Sequence, residues 1–115
     1  MSVVLLSSDL AVLSRVEGAA VRAGRAVRSA TTAAQVLDYC RDTTCDAVLI
    51  DLSSPLLDIA SLIRELSNNT ASAPQTVAFG PHVHEARLAD ARRAGCDRVV
   101  SRGQFFAQLD SILGG

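Results

Sequence analysis

The chain has 115 residues, enough for one domain that buries most of its apolar surface without metal or disulfide support. Its net charge is -1, and its 11 basic residues, all Arg, are scattered among 12 acids, which argues against a nucleic-acid surface. Hydrophobic residues make up 49% and aromatics 3%, so a core of Ala, Val, Leu and Ile rather than ring stacks is expected, and no apolar run approaches the ~20 residues of a membrane helix.

Val3-Val4-Leu5-Leu6 is the first wholly apolar run and reads as a strand. It breaks at Ser7-Ser8-Asp9, whose side chains suit the start of a helix carrying Leu10, Leu13, Val16 and Ala20 and stopping at Gly24. Ala26 to Ser29 alternates like an outer strand, and Thr31 or Thr32 caps a helix carrying Ala33, Val36, Leu37 and Cys40. Ala47-Val48-Leu49-Ile50 reads as a strand buried on both faces of a parallel sheet, with Asp51 at its carboxyl end. In open α/β sheets that edge gathers ligands and chemistry, so Asp51 is a functional candidate.

The spacing of positions 56, 59, 62, 63 and 66 predicts a helix over Leu56 to Leu66, broken by Ser67-Asn68-Asn69-Thr70. Thr76 to Phe79 is a fourth strand ended by Gly80-Pro81, and Val83 to Ala94 a helix stopped by Gly95. Arg98-Val99-Val100 is a fifth strand, and Phe105, Leu109, Ile112 and Leu113 mark a last helix before Gly114-Gly115. Five strand-then-helix units follow, with helices on both faces of one sheet over residues 1–115.

Other constellations carry less. Cys40, Cys45 and Cys96 lack C-x-x-C spacing and read as small apolar residues of a reducing compartment. No basic segment or small-residue cleavage site accompanies Met1-Ser2-Val3, so a cytoplasmic location is expected. A Ser-His-Asp hydrolase built from Ser7, Ser8, Asp51, Ser53, Ser54, His82 and His84 lacks the Gly-x-Ser-x-Gly elbow. His82 and His84 are spaced so that they point apart, which makes joint metal ligation awkward, and Gly80-Pro81 lacks the Lys of a phosphate-cradling loop.

With five units assigned, the chain resembles the receiver domain of bacterial response regulators over its full length. Asp51 with Pro55 matches the family's phosphoacceptor and following proline, Gly95-Cys96-Asp97 matches its Gly-Ala-Asp, and Gly80 and Arg102 fall at its strand-four Ser/Thr and strand-five Lys. The resemblance implies a flavodoxin-like sheet in the order 2-1-3-4-5, with Ser7, Ser8, Asp9, Asp51, Ser53, Gly80 and Arg102 around one edge. It also implies a protein partner, a histidine kinase or output protein, and a homodimer surface on the fourth helix, fifth strand and fifth helix. The departures matter. Ser7 and Ser8 stand where the family carries two carboxylates for a magnesium ion, and Gly80, Val99 and Arg102-Gly103 replace its hydroxyl, its mobile aromatic and its Lys-Pro.

One aspartate with hydroxyls makes a weak Mg2+ site, so Asp9 and Asp51 are expected to hold the ion poorly and no other cofactor is indicated. The guanidinium of Arg102 forks onto a carboxylate where an ammonium acts as a mobile point charge, and Asp51 is a candidate for that grip. The leading expectation is a degenerate receiver acting by protein contact, with phosphoryl acceptance at Asp51 weak or lost and no enzyme activity of its own. The alternatives are a working phosphoacceptor using Asp51, Asp9 and Arg102, and a small-molecule binder using space left by Ser7, Ser8, Gly80 and Gly103.

Overall fold

A computed structural model describes residues 2–42, 44–69 and 73–114. Its elements alternate throughout: β1 (Ser2–Leu6), α1 (Leu10–Ala23), β2 (Ala26–Ala30), α2 (Ala33–Asp42), β3 (Cys45–Asp51), α3 (Ile59–Asn69), β4 (Gln75–Gly80), α4 (Glu85–Ala94), β5 (Arg98–Ser101) and α5 (Arg102–Gly114). The strands form one parallel sheet in the order β2-β1-β3-β4-β5, the flavodoxin-like order expected from the resemblance. β1 and β3 adjoin at the centre while their helices leave in opposite directions, which opens a crevice at their carboxyl ends.

Side chains alternate between two cores because successive strand residues face opposite ways. Val4, Leu6, Val48, Ile50 and Ala78 point to the side covered by α2, α3 and α4, where Val36, Leu62, Leu66 and Ala91 meet them. Val3, Leu5, Leu49, Val77 and Phe79 point to the other side, against Val12 and Val16 of α1 and Phe105, Leu109 and Leu113 of α5. The central strands are apolar on both faces because helices cover both. Contrary to the composition-based expectation, one core does hold a ring stack: Phe79 and Phe105 lie parallel with centroids 3.8 Å apart, both fully buried. The three cysteines are free thiols packed on the α2–α4 side, and burial pushes Cys96 up to about 11.

Helix ends follow local chemistry. Asp9 accepts from the N–H groups of Ala11 and Val12, and Gly24 closes α1 at φ 68°, in the left-handed region. Thr32 accepts from the Gln35 N–H while the Gln35 side chain accepts from Thr31, a reciprocal cap on α2. Gly95 ends α4 at φ 97°, and the Asp97 carboxylate then accepts from the Thr76 N–H at 2.8 Å. The Gly-Cys-Asp motif thus turns the chain and pins β4 to the α4–β5 connection.

The third helix is shifted from its expected place. Asp58 caps it through the Ser61 N–H at 3.1 Å, so α3 starts at Ile59, and Ser67 to Asn69 continue the helix instead of breaking it. Thr70 lies outside the described residues, as do Met1 and Gly115. Leu56 is left in the connection, fully exposed and at φ 59°. A left-handed leucine costs about 1–2 kcal/mol, and no buried surface offsets it here. Leu56→Gly is therefore expected to raise stability by up to about 1 kcal/mol after the added freedom of the unfolded chain is counted, measured by urea unfolding. The fourth helix likewise begins at Glu85, leaving Val83 exposed before it.

Candidate functional site

The crevice is made by the turn after β1, the end of β3 and the start of α5. Asp51 ends β3 and is 3% exposed; Ser7, fully buried, leaves the neighbouring strand. Both carboxylate oxygens of Asp51 are engaged. Ser7 Oγ donates to Oδ2 at 2.7 Å, and the Ser53 N–H donates to Oδ1 at 2.9 Å as the chain turns away from the sheet. Ser7 Oγ in turn accepts from the Asp9 N–H at 3.2 Å, so a short relay links the β1 turn to the buried carboxylate. Asp51 forms no ion pair among the described residues.

Arg102 grips Asp9. Its Nη2 lies 2.9 Å from Asp9 Oδ2, while Asp9 Oδ1 caps α1, so the partner is not the Asp51 anticipated for this side chain. The pair joins the first residue of α5 to the residue before α1, 93 positions apart. Arg102 also approaches the Phe106 ring, whose face is more closely covered by Arg15 at 4.2 Å. The Arg102 guanidinium, followed by the Ala11 N–H, holds the Asp9 carboxyl below the usual aspartate value.

The other candidates are placed as follows. Ser8 is exposed beside Ser7, and Ser53 is exposed with only its backbone committed to Asp51. Gly80 ends β4 next to Leu52: a Cβ added there would sit 3.4 Å from Leu52 Cβ. The space a larger residue would use is therefore bounded by Leu52, itself 5% exposed. Pro55 is exposed in the connection to α3, and His82 and His84 are exposed before α4.

Of the basic residues in the last two units, Arg93 pairs with Asp90, Arg98 binds Gln108, and Arg87 donates to the Leu52 carbonyl at 2.9 Å. Leu52 was not singled out by the sequence, which placed Arg87 only on the polar side of its helix. Their contact depends on where α4 lands beside the β3 turn, which no local pattern encodes.

The donors do not suit magnesium. That ion needs about six oxygens in near-octahedral array at about 2.1 Å, whereas Asp51 and Asp9 are both committed and Ser7 offers a neutral hydroxyl already donating. Among the described residues no group of three His, Cys, Asp or Glu side chains could hold a metal. Phosphoryl transfer normally relies on such a cation to neutralise developing charge, and among the described residues no cationic side chain pairs with Asp51.

Two expected results test this geometry. Ser7→Ala strands the buried Oδ2 and is expected to cost about 1.5–3 kcal/mol, the range for a hydrogen bond to a charged group, read by urea unfolding. Asp51→Asn should stay within about 1 kcal/mol of the native protein, since its amide can donate to Ser7 and accept from Ser53. The second test is acid. A carboxyl whose folded pKa is depressed contributes stability above its unfolded value of about 3.9 and loses it as pH falls through the lower folded value. Arg102→Ala removes most of the depression at Asp9, so acid unfolding followed by circular dichroism should begin at higher pH in that variant.

No protein-family model matches the chain. No curated protein sequence matches it either. Solved structures do. The receiver domain of a sensor histidine kinase from Pseudomonas aeruginosa, described with a magnesium ion coordinated in its active-site cleft, superposes with a TM-score of 0.80 at 21% identity, covering 97% of this chain and 93% of that one. The receiver domain of NtrX from Brucella abortus gives 0.80 at 18% identity, covering 96% and 93%. The beryllofluoride-activated receiver domain dimer of NtrC4 gives 0.77 at 12% identity, covering 97% and 95%. The chain has the receiver fold.

Proposed function

We propose that this chain is a receiver-like signalling module of a two-component or phosphorelay system that works by holding a protein partner, with phosphoryl acceptance at Asp51 weak or lost. One observation carries the reading: both Asp51 oxygens are occupied by neutral donors, and Arg102, the sequence's candidate for a phosphate-facing cation, is spent on Asp9. A receiver competent for transfer needs a carboxylate open to the donor and a cation beside it. Here the crevice has the chemistry of a fixed structural joint.

The partner on this reading is a histidine kinase or an output protein, or a second copy meeting through α4, β5 and α5. The setting is the cytoplasm; among the described residues no helix is long and apolar enough to cross a membrane. The chain's own residues act by position. Ser7 and Ser53 hold Asp51 inward, and the Asp9–Arg102 pair fixes α5 against α1, keeping the partner-facing helices in one arrangement.

The test is incubation with acetyl phosphate and Mg2+, followed by intact-mass measurement. The expected result is no species heavier by one phosphoryl group. Near-complete labelling that Asp51→Asn abolishes would overturn the proposal and favour a working phosphoacceptor.

A further inference from the structure

Between the β3–α3 connection and α4 lies a cavity of about 290 Å³, walled by Leu52, Ser54, Pro55, Leu57, Ile59 and Arg87. This is close to the lower end of the range, about 300–1,000 Å³, that small-molecule sites occupy. Ser7, Asp9, Asp51 and Arg102 do not line it, but Ser53 and Ser54 do, and both donate backbone N–H groups to Asp51. Its apolar walls come from the connection and the first residue of α3, and its charged groups come from α4.

Two polar groups in the wall are underused. Ser54 is 7% exposed, and its Oγ has no hydrogen-bond partner. Burying a hydroxyl unpaired is costly, and native structures rarely leave one so. Ser54 borders the cavity on one side and a smaller hollow of about 100 Å³ on the other, so a turn of its side chain about χ1 would bring the buried hydroxyl to one of them.

Arg87 is fixed at the wall by its bond to the Leu52 carbonyl and has no carboxylate partner among the described residues. The carboxylate that shares the wall, Asp90, is already paired with Arg93. The cavity therefore offers one unneutralised cation and one unpaired hydroxyl, with aliphatic side chains on the rest of a mixed wall.

We propose that this cavity is a binding site for a small monocarboxylate with a short branched or aromatic hydrocarbon body. Arg87 and the Ser54 hydroxyl take the carboxylate, and Leu52, Pro55, Leu57 and Ile59 cover the hydrocarbon. An ammonium ligand lacks a free anion, because Arg93 holds Asp90. A doubly charged phosphate would meet a single free cation beside the carboxylate of Asp90. The proposal uses no phosphoryl chemistry at Asp51, so its failure would leave the signalling reading untouched.

The experiment is titration of benzoate and, separately, 3-methylbutanoate into the ¹⁵N-labelled full chain at millimolar concentrations. Saturable amide shifts centred on Ser53 to Ile59 and on Arg87 are expected. Benzamide and 3-methylbutanol, similar in shape but uncharged, should bind at least about tenfold more weakly, since charge-assisted bonds are roughly twice as strong as neutral ones. Arg87→Gln should weaken benzoate by about 10- to 100-fold, the equivalent of one charged hydrogen-bond set, with Arg87→Lys intermediate and Ser54→Ala weakened several-fold. The Lys variant keeps the test open if the Gln variant loses its fold. Absence of saturable shifts, shifts centred away from this cavity, or equal binding of the uncharged analogues would overturn the proposal.

Discussion

Replacing both Ser7 and Ser8 with Asp is expected to make folding of this protein depend on a divalent cation. Ser7 is fully buried and its Oγ lies 2.7 Å from the Asp51 carboxylate. A second carboxylate there meets a like charge in a low-dielectric setting, and neither can be fully ionised without help. In chelator the double variant should lose about 3–5 kcal/mol, the scale of leaving a buried charge uncompensated. Added Mg2+ should recover more than half of it, because the site then offers three carboxylates to a hard cation. At a concentration about 100 times the dissociation constant the gain is about 2.7 kcal/mol, visible as a rise in Tm of several degrees. The native protein should show no such rise. Equal stabilisation of both proteins by Mg2+ would refute the claim that the serines removed the ion's site.

On the function proposed above, that result bears on how a receiver fold keeps its stability when phosphoryl acceptance is weak or lost. In the native chain the carboxylate that remains is held by neutral donors, and the cationic side chain is held by a surface carboxylate. Each group has a partner, so no ion is needed for stability.

The sequence exposed the parts of this arrangement that rest on residue type and lost those that rest on placement. The apolar runs at Val3 to Leu6 and Ala47 to Ile50 had to be doubly covered strands, and their ends had to bring Ser7 near Asp51 once β1 and β3 were neighbours. Strand order came from the family resemblance, because periodicity says which face is apolar and not which strand lies alongside. The start of α3 was misplaced because Leu56 fits the apolar stripe. The stronger signal was Asp58 with Ser61, whose capping bonds decide where the helix begins. Arg102 was legible as a cation at the crevice, yet its choice of Asp9 over Asp51 depends on Asp51 being sealed beneath Ser7. The few aromatics misled in a different way: composition counts rings but does not show that two of the three phenylalanines face each other.

Those two rings set the second large expectation. Phe105→Ala is expected to cost about 3–5 kcal/mol, as for a fully buried phenylalanine that leaves a cavity, with part of the loss, about 0.5–1.5 kcal/mol, coming from the stack itself. A domain of this size holds only about 5–15 kcal/mol in total, so the variant should be partly unfolded near physiological temperature. The stack joins β4 to α5, and three residues before Phe105 the same helix presents Arg102 to Asp9. Loosening α5 should therefore also weaken the depression of the Asp9 pKa, which a carboxyl-resolved NMR titration would register as an upward shift. Phe105→Leu keeps most of the volume and loses the ring, so it should restore much of the stability. If Phe105→Ala melted within a degree of the native protein, α5 would be held by its α1 contacts alone, and the ring stack would have no part in positioning Arg102.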